Sequence, residues 1–135
     1  MKRFIKKWLK TIAVVAFVFI VFSASSKALI SRPYSFSFPS TISNSMRYTY
    51  KFEVDGGTPY VYPSISTVRT KYFLSPNTYG WTQATNVVTI SDREWRNFTW
   101  YSGYGGSDQS YCLAGCPDSS LGSWNAYNAY GVFGE

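Results

Sequence analysis

The chain of 135 residues contains no histidine. That absence removes the Ser–His and Cys–His nucleophile pairs and the commonest metal ligand. Cysteine is scarce too: Cys112 and Cys116 are the only two. Two thiolates without imidazole are too few ligands for a zinc site. Charged residues make up only 15% of the chain. The carboxylate pair that glycoside hydrolysis needs comes down to Asp92 and Glu94, and Arg93 and Arg96 sit among them. That patch reads as a solvated charged turn or a single helical turn. Gly103 to Gly106 is followed by neither a helical pattern nor a lysine, so no phosphate-binding loop is present. The chain is expected to lack catalytic residues, cofactor and metal, and not to be an enzyme.

Long apolar runs are missing as well. The longest, Ile12 to Phe22, has 11 residues, against about 20 for a bilayer span. It follows Lys2, Arg3, Lys6, Lys7 and Lys10 and precedes the small residues around Ser23 to Ala28. A cationic start, a short apolar core and a small-residue site, in that order, make a secretory signal peptide. Ser26 and Ala28 suit the two pockets of signal peptidase, which predicts a cut between Ala28 and Leu29. A cut after Ser26, using Ala24, is the rival. Residues 1–28 are read as a helical leader that touches the membrane before cleavage. Residues 29–135 are read as one secreted, extracellular domain.

The leader also accounts for the formal charge of +6. From Leu29 on, Arg32, Arg47, Lys51, Arg69, Lys71, Arg93 and Arg96 balance Glu53, Asp55, Asp92, Glu94, Asp108, Asp118 and Glu135, seven against seven. Capture of nucleic acid or anionic lipid needs a basic excess, and none is visible. No nucleic-acid partner is expected.

An even number of cysteines in an exported chain favours a disulfide, here Cys112–Cys116. A bridge needs Cα atoms within about 7 Å. Four steps of extended strand cover roughly 13 Å. The expected bridge therefore requires a turn, which Gly115 and Pro117 would supply. A redox dithiol fits poorly, because three residues intervene in a β context.

What remains is aromatic and β-like. Aromatics are 20% of the chain, with 12 Tyr and 10 Phe. Tyr34 to Phe38 alternates with period two after a frayed tail at Leu29 to Pro33. Arg47 to Val54 sets Tyr48, Tyr50, Phe52 and Val54 on one face. Asp55-Gly56-Gly57 is a turn signal, and Tyr60 to Val68 resumes the pattern, so 47–68 reads as a hairpin. Pro63 marks its second arm as an edge or a broken strand. Further strands are expected at 69–74, 86–91, 98–101, 109–113 and 127–133, with a loop at 119–125. Sustained 3.6-residue apolar periodicity is absent. About seven short strands separated by turn signals predict an all-β fold, a small antiparallel sandwich or barrel.

The segment from Tyr34 to Glu135 resembles a family of small exported proteins of Gram-positive bacteria whose function is not established. The likeness rests on Tyr34–Phe38, Tyr48–Val54, Thr70-Lys71-Tyr72-Phe73-Leu74, Leu113-Ala114-Gly115 and the ending from Tyr127 through Gly131-Val132-Phe133-Gly134-Glu135. The chain departs from that pattern at the Cys112–Cys116 insertion and at Phe133, where Trp is more usual. The family is similar in plan to the lactococcin-type secreted bacteriocins. The resemblance implies a leader and a compact β domain, and it carries no catalytic residues.

The expected activity is therefore binding at a bacterial cell surface or action on neighbouring cells, bacteriocin-like. Recognition of an envelope component or glycan, or self-assembly, is the alternative. Tyr79, Trp81, Trp95, Trp100 and Trp124 lie in or beside expected loops and are the candidate ligand-binding aromatics. The competing reading for each is a place in the core.

Overall fold

A computed structural model describes residues 29–40, 45–91 and 93–135. The leader reading of residues 1–28 falls outside them, as does Asp92. Nine strands run through the described residues: β1 (Ser31–Phe38), β2 (Arg47–Tyr48), β3 (Phe52–Val54), β4 (Tyr60–Ser66), β5 (Thr70–Ser75), β6 (Val88–Ile90), β7 (Arg96–Asn97), β8 (Gln109–Pro117) and β9 (Tyr127–Gly134). A 3-10 turn, Ser119–Leu121, precedes β9. All pairings are antiparallel. One sheet has the order β1-β9-β4-β7. The other has the order β2-β8-β5-β6, with β3 also on β8. Packed together they form a small β-sandwich.

Period-two patterning builds the core. On β1, Tyr34, Phe36 and Phe38 are buried while Ser31, Ser35 and Ser37 are exposed. They meet Tyr72 and Leu74 of β5, Leu113 of β8 and Phe52 and Val54 of β3 in one cluster. Ring contacts join the sheets edge to face: Tyr34 on Tyr72 at 5.7 Å and Phe52 on Phe133 at 5.1 Å. Each such ring contributes about 1.5–3 kcal/mol on burial.

β8 is different, because Tyr111 through Pro117 are all buried. Tyr111 and Leu113 face the core. The opposite face is covered by the segment 76–83. Trp81 packs on Phe73 at 5.1 Å, the Tyr48 hydroxyl donates to the Gly80 carbonyl, and Cys112 Sγ donates to the Asn77 carbonyl at 3.1 Å.

The expected Cys112–Cys116 disulfide does not form; both thiols are free and buried. The reason is local. Gly115 and Pro117, expected to turn the chain, continue β8 opposite Tyr72 and Thr70. Cys112 and Cys116 pair with Ser75 and Lys71 along one strand, so extended geometry holds them roughly 13 Å apart.

Residues 47–68 are not a hairpin. β3 joins β8 in one sheet and β4 joins β9 in the other. The Asp55-Gly56-Gly57 turn carries the chain between layers, with Gly56 at φ 84°. The Glu135 carboxylate anchors it by accepting from the Asp55 and Gly57 amides. Crossing the layers lets Val54 and Val61 enter the same core from opposite sheets.

The first arm is also interrupted. Tyr48 pairs with Ala114 and Phe52 with Tyr111, so four steps on one side oppose three on β8. The extra residue is a bulge, and Leu113 N–H bonds the Thr49 hydroxyl there at 2.9 Å. Tyr50, expected to share a face with Phe52, is turned out and 97% exposed. Pro63 does mark irregularity, since β4 shifts register between Pro63 and Ile65.

Three boundaries differ from expectation. Ser31 to Pro33 are not frayed but pair with Gly134 to Val132. Phe98 to Tyr101 makes only an isolated bridge, Thr85 to Trp100. The short strand of this region lies earlier, at β7, inside the expected charged turn.

Candidate functional site

The outer face of the four-stranded sheet carries a built aromatic surface. Strand alternation decides which side chains reach it. Val61, Ala129 and Phe133 point into the core, so Tyr60, Tyr62, Tyr130 and Val132 point out. Register places Tyr62 beside Val132 and Ile65 beside Tyr130. Without the shift after Pro63, Ile65 would fall on the core side. The bulge keeps it outward, 46% exposed, next to Tyr130 at 37%.

Trp95 lies across this face. Its ring stacks on Tyr60 at 4.0 Å with planes 12° apart, and Tyr62 flanks it at 6.4 Å. Tyr60 pairs with Gly134, where the Ile30 carbonyl leaves no space for a side chain: a Cβ would stand 1.6 Å from its oxygen. Beneath the indole Tyr60 is only 1% exposed, while Trp95 keeps 46%. The indole N–H donates to Asn97 Oδ1 at 2.8 Å and fixes the ring's direction. One face of the indole is spent on Tyr60, and the other is open to solvent. Glu94 and Arg96, on either side of Trp95 in sequence, form an ion pair.

The five aromatics singled out from sequence do not converge. Tyr79, 72% exposed, and Trp81, on Phe73, belong to the segment over β8. Trp100 is half-buried; its N–H donates to the Gly57 carbonyl at 3.0 Å and its ring meets Tyr111 at 4.8 Å. Gly105, at φ 81°, lies so close that a Cβ would stand 2.5 Å from the Trp100 ring. Trp100 is therefore a packing residue. Trp124 donates to the Pro39 carbonyl at 3.1 Å and lines a separate cleft of about 500 Å³ with Val68, Leu121 and Tyr127. Only Trp95 joins an exposed cluster. Its partners Tyr60 and Tyr62, and Tyr130 further along the same face, read from sequence as ordinary strand residues. The Tyr-x-Tyr spacing at 60 and 62 was the available signal.

The remaining reactive groups are quiet. Burial pushes both the Cys112 and the Cys116 thiols up to about 11, so neither is a thiolate at neutral pH. Burial likewise raises the Tyr127 hydroxyl to about 12. Burial also works to raise the Asp118 carboxyl, but hydrogen bonds from Ser120 and the adjacent Lys71 prevail and hold it below its ordinary value. Among the described residues no group of three His, Cys, Asp or Glu could hold a metal ion. No family model matches the chain, and neither a curated protein nor a solved structure matches it.

Proposed function

We propose that the protein is an exported, non-enzymatic module that binds glycan at the cell envelope through the Trp95 face. The observation that carries this reading is the indole stacked on Tyr60 with its opposite face open. A pyranose ring presents axial C–H groups on one side and hydroxyls around its edge. The flat indole suits the first, and the Glu94–Arg96 pair beside it offers hydrogen-bond partners for the second. Clustered exposed apolar side chains on a sheet face are a mark of an interaction surface, and aromatics supply most contact energy there. The leader pattern of residues 1–28 and the resemblance to small exported Gram-positive proteins support the extracellular setting.

The test is co-sedimentation of the purified protein with insoluble cell-wall sacculi, chitin and cellulose. At least one polymer should deplete the wild type. Trp95→Ala and Tyr62→Ala should each weaken that binding about tenfold or more while the protein stays folded at the assay temperature, as circular dichroism would show. Trp81→Ala, on the far sheet, should not weaken it. Equal binding by Trp95→Ala and wild type would sink the proposal. The bacteriocin-like consequence is read separately, by adding the same protein to Gram-positive cells and recording growth and membrane potential.

A further inference from the structure

The two sheets leave a gap on the side where β1 ends one and β2–β3 ends the other. It is a groove of about 1060 Å³. Its walls are apolar and aromatic, with Tyr34, Phe36, Phe52 and Phe133 among the lining residues. Three cations also line it, Arg32, Arg47 and Lys51, and no acidic residue does.

The cations are not there to serve ion pairs. Among the described residues, Asp118 pairs with Arg69 and Lys71, and Glu94 with Arg96. Among the described residues no carboxylate forms an ion pair with the three in the groove. Arg32 occupies a core-side position on β1, opposite Phe133. Its guanidinium carbon stands 4.8 Å over the Phe52 ring, and Nη1 is buried with no hydrogen-bond partner. Arg47 comes from the other sheet. It spends Nε on the Ser37 carbonyl at 2.8 Å, which ties β2 to β1 across the gap. Lys51 stands exposed at the bulge.

Burying a charged donor without an acceptor is costly. Natural structures keep such a group where something else supplies the acceptor. Here the acceptor would be an anion, and the groove around it would take an apolar body. The balance of seven against seven hides this local excess, because three of the cations share one groove while most acids lie elsewhere.

We infer that the groove binds an amphiphilic anion: a phosphate or carboxylate head on the Arg32 guanidinium, in the positive field that Arg47 and Lys51 add along the groove, with its chain or ring against Tyr34, Phe52 and Phe133. Such a head group comes either on a lipid in a bilayer or on a free amphiphile. The inference is independent of the Trp95 face, which lies on the outer side of the four-stranded sheet, away from the groove between the layers.

Isothermal titration of the purified protein, as a secreting bacterial host delivers it, tests the site with octyl phosphate, 1-octanol and inorganic phosphate. Octyl phosphate should bind at least tenfold more tightly than either fragment, and the affinity should fall with added salt. Lys51→Glu, at an exposed position, should cost about tenfold without affecting folding. Arg32→Gln should cost at least as much, and Arg32→Lys should recover part of the loss. Vesicles of phosphatidylglycerol in phosphatidylcholine separate the sources. Vesicle binding that octyl phosphate competes away assigns a lipid, and octyl phosphate binding without vesicle binding assigns a free amphiphile. The inference is overturned if octyl phosphate does not bind the folded protein, if octanol binds equally well, or if Lys51→Glu binds like wild type.

Discussion

Gly115 lies beneath Phe36 so closely that a Cβ at position 115 would stand 2.7 Å from the phenyl ring. Phe36 comes from β1 and Gly115 from β8, so this contact sets the spacing of the two sheets. Gly115→Ala should lower stability by about 1–3 kcal/mol, the usual cost of overpacking a close-packed core. Phe36→Leu should cost a comparable amount alone by leaving a void. Combined, the two should cost less than their sum, because the smaller side chain makes room for the methyl group. Urea melts of the two single variants and the double variant check this coupling. Strict additivity would show that the sheets do not meet through this pair.

How much of this fold was legible follows from what each strand does with its two faces. β1 and β9 bury one face each, and their alternation at Tyr34–Phe38 and Tyr127–Phe133 marks them plainly. β8 is buried on both faces, so the alternation disappears, and Gly115 and Pro117 look like a turn when they are strand. The expected hairpin failed because Asp55-Gly56-Gly57 specifies that the chain bends and says nothing about which sheet receives it. The site was hidden for a related reason. Tyr60, Tyr62 and Tyr130 share a face only when β4 pairs with β9, and Trp95 then folds over Tyr60 beside Tyr62. Likewise Arg32, Arg47 and Lys51 come to line one groove only when β1 and β2 face each other across the open edge.

The thiols should behave as inert core groups. The folded protein should carry two free thiols, with a mass unchanged by reductant. Neither should react with a thiol-specific reagent at pH 8, and both should react in urea. Burial raises each from an ordinary 9.0 to about 11. A group that loses its proton more readily unfolded than folded stabilises the fold while protonated in both states. That stability is fully present below pH 9 and is lost as the pH rises toward 11. Urea midpoints measured from pH 8 to 11 should decline through this window. A mass two units lower, restored by reductant, would contradict the extended course of β8.

Asp118 predicts the opposite limb. Its carboxylate is 5% exposed, 3.3 Å from Lys71 and 3.4 Å from Arg69. It also accepts from the Ser120 amide and hydroxyl, capping the Ser119–Leu121 turn. These contacts hold its folded value below the ordinary 3.8. A depressed carboxyl stabilises the fold above its unfolded value, and the contribution disappears as the pH falls through the folded value. Asp118→Ala should cost roughly 1–2 kcal/mol at neutral pH, as loss of a capping acceptor does. Below pH 3.8 the gap between variant and wild type should close. A gap that stays constant from pH 7 to pH 2 would assign the effect to packing and not to charge.

The last prediction concerns a hydroxyl cluster inside the core. Thr70 Oγ1 lies 2.8 Å from the Tyr127 hydroxyl, 3.2 Å from Ser66 Oγ and 3.0 Å from the Val68 carbonyl, to which it donates. It links β5 of one sheet to β9 of the other. Since Thr70 donates to Val68, Tyr127 is left to donate to Thr70. Thr70→Val keeps the shape and removes that acceptor, leaving a buried phenol unsatisfied. The expected cost is about 1–3 kcal/mol. Tyr127→Phe removes the donor instead, and Thr70 keeps its bond to Val68, so that variant should cost less. In the Thr70→Val background, Tyr127→Phe should be neutral or even stabilising, because it deletes the orphaned group. Thermal melts of the four proteins give the coupling directly. If Tyr127→Phe costs the same in both backgrounds, the two hydroxyls do not depend on each other, and the link between the sheets here is apolar packing alone.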